Sequence, residues 1–200
     1  MARKQRLRLP NITYHVYSRC IEWRNLMERD SFKDLFLEVL KQAGEKYRFD
    51  LNFYEIMDNH FHLIIKTRED EADISRIMQY LKARFAERFN RKTGKIGPFW
   101  NERFRDVIVE EKESPLKYFL YLLWYLAFNP VRKGMVKDPR EYPYGSLTQY
   151  LREEMISGIP VVLHEYFLGL GNTLAERVDR LLKYGREWFG MGDLHRFERN

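Results

Sequence analysis

A chain of 200 residues has the size of one ordinary domain, and its 44% hydrophobic and 16% aromatic residues can build a core, which argues against a disordered chain. No apolar run approaches the roughly 20 residues of a membrane span, and the basic residues 1–10 are not followed by the apolar stretch of a secretory signal. A single cysteine, Cys20, excludes an intramolecular disulfide and suits the cytoplasm, while the net charge of +6 favours a polyanionic partner such as nucleic acid.

The hydrophobic pattern divides the chain into strands and helices. Segments that alternate apolar and polar residues predict four strands, at residues 12–20, 50–57, 61–66 and 103–110. Segments with apolar residues at every third or fourth position predict helices at residues 31–47, from 73 to a loop at 94–98, from 114 to about 129, and at 174–189. The third helix begins with a Ser-Pro pair and has to end before Pro130.

The order β-α-β-β-α-β, followed by a further helix, is satisfied most simply by an α+β fold of the ferredoxin-like plan. That plan is a four-stranded antiparallel sheet with helices packed on one face. Residues 1–150 are predicted to form one domain, of which residues 1–10 are a basic arm. Residues 151–200 are predicted to be a helical C-terminal extension, because so short a segment would hold only a marginal core alone.

Two histidines, His60 and His62, are separated by one residue on a predicted strand. Residues two apart on a strand point to the same face, so the two imidazoles project together while Phe61 points the other way. Adjacent imidazoles offer a metal ion two of its ligands. The same spacing also fits two histidines on a half-solvated strand.

Tyr125 and Asn129 lie four positions apart on the third predicted helix and therefore share a face. Beside a two-histidine metal site, the amide oxygen could complete the coordination and the phenol could attack a phosphorus atom. Taken alone, the segment is more typical of an aromatic-rich core helix that an Asn-Pro pair ends.

Together, these two segments resemble the HUH endonucleases, specifically the IS200-like transposases and the REP-associated tyrosine transposases. The resemblance covers most of residues 12–150, and Gly145 stands where a serine is usual in that family. Its motifs are Tyr14-His15-Val16 with Arg19, residues 57–63 (MDNHFHL), 97–104 (GPFWNERF), 125–136 (YLAFNPVRKGMV) and 142–146 (YPYGS).

The resemblance implies that His60 and His62 are metal ligands, Asn129 the third protein ligand and Tyr125 the nucleophile. It implies a DNA transposase that nicks and rejoins single-stranded or hairpin DNA through a 5′-phosphotyrosine intermediate, with Mg²⁺ or Mn²⁺ as its cofactor. A metal ion on the scissile phosphate would help a tyrosine that is otherwise a poor nucleophile. We expect the protein to act in the cytoplasm, associated with the nucleoid through DNA.

Basic and aromatic side chains are candidates for DNA contacts, because cations bind phosphates and rings stack on bases. For Arg84 and Arg88, a solvated helix face is an equally good explanation, and Trp100 is also a candidate core residue. The predicted DNA-binding set is Arg3, Lys4, Arg6, Arg8, Arg19, Arg84, Arg88, Trp100, Arg103 and Arg132.

Two alternatives stay open. Tyr121 and Tyr125 are four apart, as in two-tyrosine replication-initiator-like nickases, although only Tyr125 matches the Asn-Pro-Val-Arg motif. The other alternative is a catalytically inactive nucleic-acid-binding protein on the same fold. All four predicted catalytic residues are present, which argues against it. The sequence leaves open whether the chain forms a homodimer.

Overall fold

The computed structural model describes residues 9–152 and 158–189. The predicted DNA-binding residues of the basic arm, Arg3, Lys4, Arg6 and Arg8, lie outside these residues. The described strands are β1 Thr13–Arg19, β2 Asp50–Ile56, β3 His60–Lys66 and β4 Arg105–Ile108. The described α-helices are α1 Asp30–Tyr47, α2 Ile74–Thr93, α3 Pro115–Ala127, α4 Asn129–Arg132, α5 Leu147–Arg152, α6 Glu165–Leu168 and α7 Leu174–Phe189. Within this part of the chain, none of the helices combines the length and apolar character that a membrane span requires.

The strands form one antiparallel sheet in the order β2-β3-β1-β4. Helix α1 connects β1 to β2 and helix α2 connects β3 to β4, so the ferredoxin-like prediction is confirmed. Strand β4 is shorter than the predicted strand at residues 103–110. The carboxylate of Glu110 accepts the backbone N–H of Thr13 (3.0 Å), in a position where a longer strand would supply a carbonyl.

Helices α1 and α2 cover one face of the sheet. Alternate strand residues such as Val16, Leu63 and Ile65 are buried there in a core that they share with Phe36 of α1 and Phe85 of α2. The N-terminus of α2 is fixed by Asp73, whose side chain accepts the backbone N–H of Arg76, as expected for an N-cap.

The opposite face of the sheet is also covered over part of its area. Phe53 and Ile64 point to this face and share a second core with α3 and the later helices, α7 among them. The prediction of helices on one face therefore holds for the two connecting helices only, because β2 and β3 carry apolar residues on both faces. The rest of this second face carries His15, Glu55 and His62.

Helices α3 and α4 follow one another with only Phe128 between them. Phe128 keeps a helical backbone (φ −81°, ψ −4°), and the backbone N–H of Arg132 donates to its carbonyl (2.9 Å). Pro130 lies in the first turn of α4, where its missing N–H is not needed. Helix α3 ends at Ala127, before Pro130 as predicted, but a further helical turn, α4, begins at Asn129. Tyr125 and Asn129 consequently lie on one almost continuous helical path.

The outer edge of β2 is lined by later parts of the chain. Backbone hydrogen bonds run from the Ile56 N–H to the Tyr144 carbonyl (3.0 Å), from the Ser146 N–H to the Tyr54 carbonyl (3.1 Å), and from the Val162 N–H to the Leu51 carbonyl (2.8 Å). The Ser146 hydroxyl also accepts the backbone N–H of Tyr54 (2.9 Å). Residues 142–146, which the resemblance singles out, therefore pair with β2 next to the polar side chains of the second sheet face.

Candidate active site

The two histidines of β3 stand side by side on the second sheet face. Their ring centroids are 5.1 Å apart and their planes are perpendicular. Nδ1 of His60 is hydrogen-bonded to the Asn59 side-chain oxygen (2.6 Å), and Nδ1 of His62 to Nε2 of His15 (3.0 Å). Because Nδ1 is engaged in both rings, Nε2 of each histidine is the candidate ligand atom.

Burial holds both imidazoles in the neutral form. It lowers the pKa of His60 to about 4, and the positive charges of Arg19 and Lys133 act in the same direction. Burial also lowers the pKa of His62 well below its usual value, with smaller contributions from the neighbouring His60, His15, Arg19 and Arg132. A neutral imidazole is the form that binds a metal ion, so the pair is suited to that role at neutral pH.

Arg132 connects Tyr125 with Asn129. Its guanidinium carbon lies 4.5 Å from the centroid of the Tyr125 ring, and the same group donates to the Tyr125 backbone carbonyl (2.8 Å) and to the Asn129 side-chain oxygen. The Asn129 Nδ2 atom is buried and has no hydrogen-bond partner among the described residues. The positive charge of Arg132 also contributes to the lowered pKa of His62.

These residues fit a metal ion only if an amide completes the set. Among the described residues, no group of three or more His, Cys, Asp and Glu side chains is arranged to hold a metal. His60, His62 and the amide oxygen of Asn129 would supply three protein ligands. Mg²⁺ and Mn²⁺ prefer oxygen ligands, so phosphate oxygens and water would have to supply the rest.

Glu55 is a site residue that the sequence analysis did not single out. It pairs with His62 across β2 and β3 and is only 1% exposed. Burial raises the pKa of its carboxyl well above the usual value, and the charge of Arg132 works in the opposite direction. A Cβ at Gly145 would stand 2.5 Å from Glu55 Oε2, so the glycine makes room for this carboxylate. The sequence signal that could have identified Glu55 is an acidic residue in the interior of a mostly apolar predicted strand.

The predicted DNA-binding residues divide into two groups. Arg19 pairs in register with His60, and Arg103 is exposed beside the same end of the sheet. Arg84 and Arg88, in contrast, belong to α2 on the other side of the sheet, where they form ion pairs with Glu87 and with Glu38 of α1. The structure does not bring these two α2 arginines to the histidine site.

Trp100 belongs to the core rather than to the histidine site. Its ring lies against Phe61, Phe85 and Phe99, with centroids 5.3, 5.6 and 4.6 Å away. Its Nε1 donates to the Lys82 carbonyl of α2 (2.9 Å). The structure therefore gives Trp100 a packing role and offers no support for the predicted base stacking.

The fold and this constellation define a class, a ferredoxin-like protein with a histidine pair and a helical tyrosine on one sheet face. The chain belongs to the IS200-like transposase family, since the model of that family, described as "Transposase IS200 like", matches residues 8–118. The match includes His60 and His62 and ends before Tyr125.

Individual proteins are also similar to this chain. A Haemophilus influenzae protein, provisionally described as a REP-associated tyrosine transposase, is 24% identical over 129 residues, which are 60% of this chain and 71% of that protein. The solved structure of a REP-associated tyrosine transposase bound to a REP hairpin is similar with a TM-score of 0.63 and 18% identity, over 82% of this chain and 94% of that one. A Deinococcus radiodurans structure, provisionally described as a transposase, is similar with a TM-score of 0.43 and 17% identity, over 62% of this chain and 95% of that one.

Proposed function

We propose that this transposase nicks and rejoins single-stranded or hairpin DNA through a 5′-phosphotyrosine formed on Tyr125. The observation that carries the proposal is the position of Arg132, which contacts Tyr125 and Asn129 and acts electrostatically on His62. One residue therefore contacts both the candidate nucleophile and the amide. Arg132 is half-buried, so its guanidinium could also reach a bound phosphate.

In the proposed reaction, the Tyr125 hydroxyl oxygen attacks the scissile phosphorus. The bond from phosphorus to the 3′ oxygen breaks, the phenolic proton goes to solvent, and the leaving 3′ oxygen takes up a proton. The guanidinium of Arg132, which lies over the ring, favours the negative charge that develops on the phenol. Attack by the 3′-hydroxyl of another strand end reverses these bond changes and rejoins the DNA.

The proposed cofactor is Mg²⁺ or Mn²⁺. His60 and His62, through Nε2, and Asn129, through its amide oxygen, would hold the ion. When bound, a divalent ion supplies positive charge at the scissile phosphate and helps to align it for attack. The bond from Arg132 to the Asn129 oxygen orients the amide, and the bonds at Nδ1 orient the two imidazoles.

The proposed substrate class rests on charge and on one relative. The chain carries a net charge of +6, and the solved REP-associated relative is bound to a REP hairpin. By binding such DNA, the protein is proposed to associate with the nucleoid.

The reaction is tested by incubating the protein with labelled hairpin DNA and Mn²⁺ and running a denaturing gel. A 5′-phosphotyrosine joins the protein to the fragment on the 3′ side of the nick, so a 3′ label is expected in the protein adduct and a 5′ label in a free fragment. Tyr125→Phe should abolish the adduct while retaining DNA binding. Binding without an adduct on any hairpin would favour the catalytically inactive alternative.

The ligand assignment is tested separately by calorimetric titration with Mn²⁺. His60→Ala and Asn129→Ala should each weaken binding by roughly tenfold or more. Asn172→Ala, which removes an exposed amide far along the chain, is the matched control and should bind as the parent protein does. Unchanged binding in Asn129→Ala would remove this residue from the ligand set.

One contact is compatible with the two-tyrosine alternative. The Tyr121 ring stacks on the Tyr125 ring, with centroids 5.8 Å apart and planes inclined by 17°. On the single-tyrosine proposal, Tyr121→Phe keeps both nicking and rejoining. A Tyr121→Phe protein that nicks DNA but no longer joins strands would establish the two-tyrosine mechanism instead.

A further inference from the structure

A polar cavity of about 330 Å³ lies beside the candidate active site, where β1 ends and β4 begins. Its lining includes Tyr17, Arg19, Trp23, Arg103 and Arg105. The volume is at the lower end of small-molecule sites, which start at about 300 Å³. Arg19 is paired in register with His60, so the cavity adjoins the strand position of the candidate metal ligand.

Trp23 is held in an unusual position on the rim of this cavity. Its side chain is 60% exposed, and the backbone is in the left-handed region at both Glu22 (φ 52°) and Trp23 (φ 58°). Bulky residues rarely adopt this conformation, and such strain concentrates at functional sites. The Arg19 guanidinium lies 4.0 Å from the centroid of the Trp23 ring, which brings a cation and an exposed aromatic surface together.

Asn59 connects the Trp23 segment to the histidine pair. Its side-chain Nδ2 donates to the Trp23 carbonyl (3.2 Å), and its Oδ1 is hydrogen-bonded to His60 Nδ1 (2.6 Å). Its backbone carbonyl accepts the N–H of Cys20 at the end of β1 (2.8 Å). The backbone of Trp23 is thus connected to the candidate ligand His60 through a single residue.

We propose that this cavity binds one unpaired nucleotide next to the scissile phosphate, with its base stacked on Trp23 and its phosphates held by Arg19 and Arg103. The inference rests on the proposed function, since it places this nucleotide in the DNA strand that Tyr125 attacks. An aromatic face supplies stacking and arginines supply phosphate contacts, which is the combination that recognises single-stranded DNA. Trp23 and Arg19 are, on this proposal, residues that bind the DNA strand.

The test is a binding experiment that does not depend on catalysis. In the Tyr125→Phe background, affinity is measured for a hairpin with a single-stranded flank in which one position at a time is made abasic. With Trp23 present, one flank position should lose roughly tenfold or more in affinity when its base is removed. With Trp23→Ala, affinity for the intact DNA should fall by a similar factor, and that position should become insensitive to base removal.

Three variants make the result specific. Trp23→Phe keeps a ring and should restore most of the affinity, whereas Trp23→Gly relieves the left-handed backbone without supplying a ring and should resemble Trp23→Ala. Ile96→Ala, at a fully exposed apolar residue elsewhere, is the control and should leave binding unchanged. A fold defect in Trp23→Ala is thereby distinguished from loss of stacking.

The proposal is overturned if Trp23→Ala weakens all abasic substrates by the same factor as the intact DNA, or leaves affinity unchanged. It is also overturned if a free deoxynucleoside monophosphate competes for the cavity as strongly as the oligonucleotide, because the occupant would then be a free nucleotide. Failure of the proposed nicking reaction is recognised differently, by absence of an adduct in the protein that retains Tyr125.

Discussion

Substitution of Gly185 in α7 by alanine should destabilise the protein, although alanine is the better helix former. A Cβ at this position would lie 2.7 Å from Cε2 and 2.8 Å from Nε1 of Trp124 in α3. The Trp124 side chain is buried, with 4% exposure, and its Nε1 donates to the Leu181 carbonyl of α7 (3.0 Å). The ring cannot move away from the new methyl group without losing this hydrogen bond and its packing.

The magnitude follows from three opposing effects. Removing a glycine from a helix interior adds about 1 kcal/mol to the free energy of unfolding. Overpacking a buried site costs about 1–3 kcal/mol, and loss of the Trp124 hydrogen bond costs about 1 kcal/mol more. The expected net loss is about 1–3 kcal/mol, which lowers the Tm of a chain of this size by roughly 2–12 °C.

The assay is urea unfolding followed by circular dichroism, with Gly44→Ala as the matched control. Gly44 also lies within a helix, but a Cβ there would meet only Phe49, at an ordinary 3.9 Å. Gly44→Ala should therefore raise the free energy of unfolding by up to about 1 kcal/mol. A stabilising effect of the same size at Gly185 would refute the reasoning from close packing between α7 and α3.

Three further predictions concern pH and individual contacts. Burial lowers the pKa of His164 to about 4, so between about pH 6.5 and 4 the unfolded chain takes up a proton that the folded chain does not. The contribution of His164 should lower stability by up to about 3 kcal/mol as pH drops through that window, in addition to the contributions of the other buried histidines. The unfolding midpoints of His164→Gln should therefore depend less steeply on pH than those of the parent protein, and equal slopes would contradict this. Asp73→Ala removes the N-cap bond to the Arg76 N–H and should cost about 1 kcal/mol in urea unfolding, an unchanged midpoint being the contrary result. Gly145→Ala should displace the Glu55 carboxylate and lower the Tm, whereas an unchanged Tm would show that the space beside it is not required.

Features that depend on local pattern could be predicted from the sequence. Strand alternation places His60 and His62 on one face because the side-chain period of a strand is two. The helix period does the same for Tyr125 and Asn129. The order of these elements leads to the ferredoxin-like sheet, which the structure confirms.

Features that depend on long-range contact could not be predicted in this way. The sequence shows that α2 has a polar face. It does not show that Arg88 on this face pairs with Glu38 of α1, on the side of the sheet away from the histidines. The need for glycine at position 145 arises from Glu55, which is ninety residues earlier in the chain. Trp23 carries no periodic signal, because its exposure results from a local left-handed backbone.

The lining of the β2 edge has a consequence for self-association. A bare edge strand offers its backbone groups to any other chain, and two sheets can join through such edges into one. In this protein the Tyr54 and Ile56 groups on the outer edge are already bonded to Ser146 and Tyr144. A sheet shared between two copies would have to be built through β4, which is four residues long and begins with Arg105 and Asp106. Charged, short edges resist such joining, so β4 is a poor route to a sheet shared between two copies.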